Sequence, residues 1–224
     1  IVVNSKQFQL EFKKKFNIKT QLIYNPLNKN EIIKKSVLNL KKNIFKKNKL
    51  KIINIARLTD QKDHLTLIKA LNIVKKDIQF NLAIIGYGVN KSLIQKKINK
   101  FNLNKSVKIL GYKSNPYPYL RASDLFILTS KYEGLPNVIL EAQVLKKYVI
   151  SSDCPTGPNE ILLNGKTGTL FKVGDYKQLA NEIKNFYYNR NKMKKKIKKA
   201  FQMLNRFEFE KNCYRYLFLV NKYI

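Results

Sequence analysis

From residue 50 onward, short apolar runs alternate with longer segments of helical periodicity, and this alternation constrains the fold more than any other feature of the chain. The apolar runs predict strands at residues 50–56, 80–85, 107–110, 125–128 and 148–151, with 169–171 as a shorter candidate for a sixth. The amphipathic segments predict helices near residues 63–75, 91–101, 136–145 and 175–187. Strands that alternate with helices in this way form a parallel sheet with right-handed crossovers and helices on both faces.

The two ends of the chain do not follow this pattern. Residues 1–4 predict a lone strand, 7–16 an amphipathic helix and 21–24 a second short strand, after which Asn25 and Pro26 end the segment. Residues 28–49 indicate a polar, lysine-rich connector, and the tail predicts two helices, the last rich in Tyr, Leu and Phe. The sequence therefore divides into residues 1–25, a linker at 26–49, an α/β domain at 50–190 and C-terminal helices at 191–224.

Composition excludes several classes of protein. The 224 residues are enough for one large or two small domains with a sizeable core, and no run of about twenty apolar residues predicts a membrane span. No signal-peptide pattern is found at the start of the sequence. Cys154 and Cys213 have neither metal-site nor redox-motif spacing, which favours structural thiols in a reducing cytosol. We therefore expect a cytoplasmic protein.

The formal net charge of +31 suggests nucleic acid as a partner, but the residue types argue against it. The excess is almost entirely Lys, whereas recognition of phosphates and bases favours Arg, and no nucleic-acid-binding motif is present. The lysine-rich run at residues 192–199 has two interpretations. It is either a basic surface that holds the protein peripherally on the anionic inner face of the plasma membrane, or a solvated helix face.

The segment from Glu133 to Glu141, E-G-L-P-N-V-I-L-E, carries two carboxylates across a turn and a predicted helix start. Pro136 suits the first helical position, so Gly134 and Leu135 are expected at the helix N-terminus, where free N–H groups favour an anion. Glu141, about one and a half turns into the helix, can offer oxygens to vicinal hydroxyls. The alternative is two surface glutamates, but the chain has few glutamates to place there by chance.

Arg57 and Lys62 follow the first long strand, in the segment I-A-R-L-T-D-Q-K. Residues in this position lie at the carboxyl end of a strand, where open α/β sheets bind ligands. An arginine can grip phosphate oxygens with two hydrogen bonds, while a lysine acts as a point charge. Lys62 could be one more surface lysine, but Arg57 is one of only five arginines in a chain that otherwise uses Lys.

These two segments resemble the donor-binding domain of the family 4 (group 1) glycosyltransferases, which have the GT-B architecture of two facing Rossmann-like domains. The resemblance implies an α/β, Rossmann-like sheet as the C-terminal half, with Arg57, Lys62 and Glu133 as catalytic residues. It further implies that Glu133 contacts the donor hexose, that Glu141 holds the ribose hydroxyls, and that Gly134 and Leu135 contact the donor. The family usually has Gly at the position of Ala56, a small-for-small change that we expect to be tolerated.

Other positions match the family less specifically. Gly111 and Tyr112 match the loop that lies along the nucleotide base, where Tyr112 either stacks on the base or packs structurally. Glu160 is either a ligand contact or a helix-start acid. His64, the single histidine, has no assignable catalytic partner. There is no D-x-D motif and no His/Cys cluster, so no metal or other cofactor is expected.

The resemblance also implies how the chain is organised and what it does. Residues 1–25 correspond to the end of an N-terminal acceptor-side domain, and the final helix is expected to pack back on that part, so the chain covers about half of the usual enzyme. The implied function is retaining transfer of a hexose or N-acetylhexosamine from a UDP-sugar to a glycan or polyprenyl-linked acceptor in polysaccharide biosynthesis. Two alternatives stay open. One is a donor-binding subunit or fragment that needs a separate acceptor domain, and the other is a nucleotide-sugar epimerase of the same architecture.

Overall fold

The computed structural model describes residues 1–38 and 44–222. Its strands are β1 (Val2–Val3), β2 (Gln21–Leu22), β3 (Leu50–Ile55), β4 (Phe80–Ile85), β5 (Val107–Ile109), β6 (Leu125–Leu128), β7 (Tyr148–Ser152) and β8 (Thr169–Phe171). Its α-helices are α1 (Lys6–Phe16), α2 (Lys29–Ser36), α3 (His64–Val74), α4 (Lys91–Lys100), α5 (Tyr117–Ala122), α6 (Asn137–Val144), α7 (Pro158–Leu162), α8 (Tyr176–Tyr188), α9 (Arg190–Gln202) and α10 (Phe209–Asn221). Two 3-10 turns lie at Asp60–Lys62 and Met203–Phe207.

The main sheet has six parallel strands in the order β5-β4-β3-β6-β7-β8, so the predicted Rossmann-like parallel sheet is confirmed, including the short sixth strand. The chain first builds outward from β3 to β4 and β5, then returns to the other side of β3 and builds outward again from β6. This reversal opens a crevice between β3 and β6 at the carboxyl ends of the strands, where sheets of this kind bind ligands.

Apolar residues fill the sheet on both faces, because a parallel sheet is covered by helices on each side. Along β3, Ile52 belongs to one apolar core and Ile53 to the other. The same alternation holds in β6, where Leu125 and Ile127 lie in the first core and Phe126 and Leu128 in the second. The continuous apolar runs of the sequence are thus strands that bury consecutive residues on opposite faces.

The N-terminal residues form a small unit against the main sheet domain. Strands β1 and β2 pair in parallel, with Val2 opposite Gln21. The Tyr24 ring packs against the ring of Phe207, with 4.8 Å between centroids, and the backbone N–H of Leu27 donates to the Phe207 carbonyl at 2.8 Å. Tyr24 and Leu27 therefore tie the end of this unit to the 3-10 turn that precedes α10.

The structure differs from the sequence prediction at several boundaries. The connector predicted at 28–49 contains a helix, α2, because Asn28 caps it by accepting a hydrogen bond from the Glu31 N–H at 3.0 Å. The rest of that linker includes residues 39–43, which lie outside the described part of the chain. The prediction of Pro136 at the first helical position is wrong by one residue. Pro136 adopts an extended conformation and precedes α6 as its N-cap residue.

The C-terminal segment forms two α-helices, as predicted, joined by the 3-10 turn at Met203–Phe207. Asn212 is the buried residue of α10, whereas Tyr214, Leu217 and Phe218 are exposed. The last two residues of the predicted C-terminal segment, 223 and 224, lie outside the described residues. In the parts of the chain that the structure describes, no helix is long and apolar enough to cross a membrane.

Candidate functional site

The candidate site lies at the carboxyl edge of the sheet, around the point where the strand order reverses. Arg57 and Lys62 follow β3, and Glu133 follows β6, which is the neighbouring strand. The loops that contain Gly111 and Tyr112 follow β5, two strand positions from β3, a distance of about 10 Å. All the predicted site residues that follow these strands therefore lie along one edge.

An ion pair joins the two sides of the crevice. The Lys62 Nζ lies 2.5 Å from the Oε1 of Glu133, and the two side chains are only 14% and 7% exposed. The buried hydroxyl of Ser130 donates to the same oxygen at 2.6 Å. The other carboxylate oxygen, Oε2, accepts no hydrogen bond from a described residue. Glu133 is thus fixed by one oxygen and can accept from a ligand with the other.

The loop after β7 supports the backbone of Glu133. The Glu133 N–H donates to the carbonyl of Pro155 at 3.2 Å, and the Thr156 hydroxyl donates to the Glu133 carbonyl. Gly157 has a φ of +84°, and a Cβ there would lie 2.0 Å from the carbonyl oxygen of Gly134. Only glycine fits at 157, because both the backbone conformation and the space exclude a side chain.

Arg57 differs from Lys62 because no residue that the structure describes neutralises its charge. Its side chain is exposed, and no described residue forms an ion pair or hydrogen bond with its guanidinium. The loop after β4 packs closely beneath it, since a Cβ at Gly86 would lie 1.9 Å from the carbonyl oxygen of Ala56. The N–H of Leu58 also donates to the Tyr87 carbonyl at 2.8 Å. The backbone that carries Arg57 is therefore fixed, while its charge is open to solvent.

Two backbone amides that follow Glu133 have no hydrogen-bond acceptor among the described residues. The N–H groups of Gly134 and Leu135 donate to no described residue. Around Gly134 the space is open, since a Cβ there would have the Asn4 Oδ1, 4.0 Å away, as its nearest neighbour. Gly134 and Leu135 immediately precede Pro136 and the start of α6, where the helix dipole favours negative charge.

Glu141 lies in α6 in a different environment. Its Oε1 accepts a hydrogen bond from the Tyr117 hydroxyl at a long 3.5 Å, and no cation pairs with it among the described residues. Burial raises the pKa of the Glu141 carboxyl above its ordinary value. Burial, together with the neighbouring Glu141 charge, also raises the pKa of Tyr117, to about 12. Because Tyr117 starts the helix that follows the β5 loop, Glu141 lies on the β5 side of the crevice.

Two tyrosines project from the loops after β4 and β5. The rings of Tyr87 and Tyr112 meet edge to face, with 6.0 Å between centroids, and their side chains are 64% and 67% exposed. The loops are tied together because the Gly86 N–H donates to the carbonyl of Gly111 at 3.0 Å. Gly111 has a φ of +70° and open space around its Cα. The loops after β4 and β5 therefore present two exposed aromatic rings, and a backbone hydrogen bond joins the two loops.

Other candidates from the sequence fall outside this group. Glu160 lies in the first turn of α7, and its carboxylate accepts from the Lys6 N–H at 2.8 Å and from the Tyr24 hydroxyl at 2.5 Å. Glu160 is thus an acid at a helix start, and its carboxylate links α7 to the N-terminal unit. His64 is buried with neither ring nitrogen bonded to a described residue, and burial and the nearby Lys62 charge lower its pKa to about 4. Within residues 1–38 and 44–222, no three His, Cys, Asp or Glu side chains gather as metal ligands.

Three residues that support the glutamates were not identified from the sequence. Ser130 and Thr156 hold Glu133, and Tyr117 donates to Glu141. Ser and Thr after a strand carry no signal beyond ordinary loop composition. Tyr117 lies in α5, a helix too short and proline-rich to show a helical period.

Comparison with known proteins places the chain in a family context. A family model described as glycosyl transferases group 1 matches residues 37–203, which is more than half of the chain. An uncharacterised glycosyltransferase of Methanocaldococcus jannaschii is 44% identical over 122 residues, covering 54% of this chain and 30% of its own length. The N-acetylgalactosamine-N,N'-diacetylbacillosaminyl-diphospho-undecaprenol 4-alpha-N-acetylgalactosaminyltransferase of Campylobacter jejuni is 27% identical over 223 residues, covering 97% of this chain and 59% of its own length.

Among solved structures, the chain is similar to TarM of S. aureus, which was crystallised with fondaparinux, alpha-GlcNAc-glycerol and UDP. The TM-score is 0.84 at 25% identity, and the match covers 98% of this chain and 43% of TarM. The chain therefore spans between about a third and three fifths of the length of these relatives.

Proposed function

The chain belongs to the group 1 glycosyl transferases, and from that premise we propose that its carboxyl edge binds a nucleotide diphosphate sugar, a UDP-sugar in particular, as the donor for glycosyl transfer. The observation that carries the proposal is the Lys62–Glu133 ion pair across the β3–β6 crevice, together with Arg57, an arginine in the same loop as Lys62 that no described residue neutralises. One unpaired cation and two amide N–H groups without an acceptor among the described residues suit an anionic ligand.

The diphosphate would lie between Arg57 and the amides of Gly134 and Leu135. Arg57 can donate to two phosphate oxygens with its planar fork, and the amide N–H groups can donate to other oxygens of the same diphosphate. The ammonium of Lys62 has three donors, and its bond to Glu133 uses one of them. As the sugar–phosphate bond breaks, negative charge grows on the leaving diphosphate, and these fixed donors stabilise it where it develops.

The two glutamates would serve opposite ends of the donor. Glu133, held by Lys62 and Ser130, has a free Oε2 for a hydroxyl of the transferred sugar. Glu141 lies beside Tyr117, on the side of the β5 loop, where a ribose hydroxyl would supply the partner that its carboxylate lacks. Tyr112, near the start of that loop, would then lie near the uracil, and the Tyr87 ring packs edge to face against the Tyr112 ring.

The acceptor and the stereochemistry are further parts of the proposal. The name of the Campylobacter relative describes transfer of N-acetylgalactosamine to a saccharide on diphospho-undecaprenol, and TarM was solved with UDP. By analogy, we propose transfer of a hexose or N-acetylhexosamine, with retention, to a glycan or polyprenyl-linked acceptor in polysaccharide biosynthesis, at the cytoplasmic face of the membrane. The donor-binding role needs only the described residues, whereas transfer also needs an acceptor site.

Calorimetric titration of UDP tests the phosphate site. A charge-assisted hydrogen bond contributes about 1.5–3 kcal/mol, so Arg57→Ala should weaken UDP binding by about ten- to a hundredfold. Arg57→Lys should restore only part of it, because an ammonium lacks the two-pronged geometry. UDP should also bind in the presence of a chelator, since the proposed donors are cations and amides of the protein.

A matched control separates this site from a merely basic protein. Arg215 is an exposed arginine on α10 with no ion pair to a described residue, and Arg215→Ala removes the same side chain and charge. It should leave UDP affinity almost unchanged. Equal losses in Arg57→Ala and Arg215→Ala would mean diffuse attraction, and binding that requires Mg²⁺ would overturn the metal-free site. Conversion of the UDP-sugar to its epimer, rather than its cleavage or transfer, would favour the epimerase alternative.

A further inference from the structure

The solvent-facing side of α9 carries an unneutralised array of lysines. The exposed members are Lys192, Lys194, Lys195, Lys198 and Lys199. No ion pair or side-chain hydrogen bond joins any of them to another described residue. No Asp or Glu lies between Glu182 and Glu208 in the sequence. Like charges on one helix face repel each other, so this face gains most from a partner that presents many negative charges together.

The rotation of α9 is fixed by its opposite side. Met193 and Ala200 are buried against the domain. Lys196 points back toward the loop before β8, where its Nζ donates to the carbonyls of Gly165 at 2.9 Å and Gly168 at 3.0 Å. These contacts hold the remaining lysines outward as one surface.

An apolar groove of about 440 Å³ adjoins this surface. Ile197 and Phe201 supply its apolar lining, and Lys146, Lys194 and Lys198 supply cations around it. The Lys146 Nζ lies 5.2 Å from the centroid of the Phe201 ring. Among the described residues, none of those that line the groove is acidic. The combination of an apolar lining and ammonium groups matches a ligand that has both a hydrocarbon part and an anionic head group.

We propose that α9 and this groove form a docking surface for an anionic phospholipid bilayer. The lysines would extend to the phosphates while their hydrocarbon stems, with Ile197 and Phe201, contact the outer part of the acyl region. Single-stranded nucleic acid would also attract lysines, but its binding sites stack bases on exposed aromatic rings and favour arginine. Here the ring of Phe201 is partly buried and packs against the core.

The docking surface is separate from the candidate donor site. None of the residues that line the groove belongs to that site. Lys146 lies beyond the carboxyl end of α6, whereas Gly134 precedes its amino end. A membrane bound at α9 would therefore leave the carboxyl edge of the sheet open, and the proposal does not depend on which sugar nucleotide binds there.

Co-sedimentation with vesicles tests this surface. The protein should partition to vesicles of phosphatidylcholine mixed with phosphatidylglycerol, and hardly to phosphatidylcholine alone. Lys194→Gln/Lys198→Gln should reduce that partition by about thirtyfold, following the contribution expected of two well-placed lysines. The matched control is Lys96→Gln/Lys100→Gln, which removes two exposed lysines from α4 and should change partition by about threefold or less.

Several outcomes would overturn the proposal. Equal losses in the two double variants would mean that overall charge, and not α9, drives binding. Equal partition to neutral vesicles would remove the role of the lysines. Equally tight binding of soluble glycerol phosphate would assign the site to a free phosphate, and stronger binding of a single-stranded RNA to the same lysines would assign it to nucleic acid. UDP affinity should be the same in both double variants, so failure here is distinguishable from failure of the donor site.

Discussion

Glu133 and Glu141 lie in one nine-residue segment, yet the protein treats the two carboxylates in opposite ways. Glu133 has a cation at 2.5 Å and a hydroxyl at 2.6 Å, and its side chain is 7% exposed. Among the described residues, Glu141 has only a tyrosine hydroxyl at 3.5 Å as a partner, and burial raises the pKa of its carboxyl. The comparison shows that one carboxylate is already compensated within the fold. The Glu141 carboxylate has no strong hydrogen-bond donor among the described residues, and a hydroxyl group of a ligand could supply one.

The largest expected difference between the two glutamates is in folding stability. Glu133→Gln leaves the largely buried Lys62 without a counter-charge, and breaking such a pair typically costs about 3 kcal/mol or more. Glu141→Gln removes a carboxylate that has no cation, so the free energy of unfolding should fall by less than about 1 kcal/mol or should rise. Urea unfolding of the two variants measures both values.

A double variant sharpens this test. Adding Lys62→Met to Glu133→Gln removes the orphaned ammonium and should recover most of the lost stability, because no buried charge is then left without a partner. If Glu133→Gln and Glu141→Gln were equally stable, the ion pair would contribute nothing, and the proposed contrast between the two carboxylates would be wrong.

The next effect concerns the ligand that each glutamate contacts. If Glu141 holds the ribose, Glu141→Gln should weaken UDP and a UDP-sugar alike, by about tenfold for a lost charged hydrogen bond. If Glu133 contacts the transferred sugar, Glu133→Gln should spare UDP and weaken the UDP-sugar by about tenfold. Calorimetry with both ligands distinguishes the two patterns. The same loss for both ligands in both variants would contradict the assignment of opposite ends.

The smallest effect is a pH dependence that belongs to Glu141. Its pKa is raised in the folded protein above the ordinary value of 4.5, so the folded state binds the proton more tightly than the unfolded state. The resulting stability is fully present below about pH 4.5 and is lost as the pH rises through the folded-state pKa. Between pH 4.5 and the folded-state pKa of Glu141, the free energy of unfolding of wild type should therefore fall as the pH rises. That of Glu141→Gln should not show this fall, because the amide does not titrate.

Thermal unfolding across that pH range measures the difference. Because His64 is buried with a lowered pKa, its protonation destabilises the folded state at the acid end in both proteins and cancels in the comparison. Parallel stability curves for wild type and Glu141→Gln would show that the carboxyl titrates normally, and the contrast with Glu133 would then rest on the ion pair alone.

The sequence was most informative where structure follows from local pattern. Strand β6 is a continuous apolar run, and β4 is buried along its whole length, because these strands are covered on both faces. The helix after Glu133 was expected from the spacing of Val138, Ala142 and Leu145, and it forms with a start one residue later. Patterns within about ten residues were enough for these elements, since period and propensity act between near neighbours.

Helices that lack a clear apolar period cannot be predicted from the local sequence pattern. Helix α2 depends on a single capping side chain, Asn28, and on burial of Ile32 against the domain. Helix α5 is six residues long and begins beside proline, so it presents less than two turns of pattern. Both helices form because the tertiary structure covers their apolar residues, which no local window of sequence records.

The sequence alone determined the parallel α/β sheet, the two cation positions after β3 and the two glutamates after β6. Only the tertiary structure decided what each of them contacts. Lys62 and Glu133 are 71 positions apart, and they meet because β3 and β6 are neighbours at the reversal of strand order. In the same way, Glu160 turns to the N-terminal unit and Glu141 meets Tyr117 across 24 positions. Pairing of this kind depends on which strands and helices lie side by side in space, and that order is set by burial of the whole core and not by any local segment.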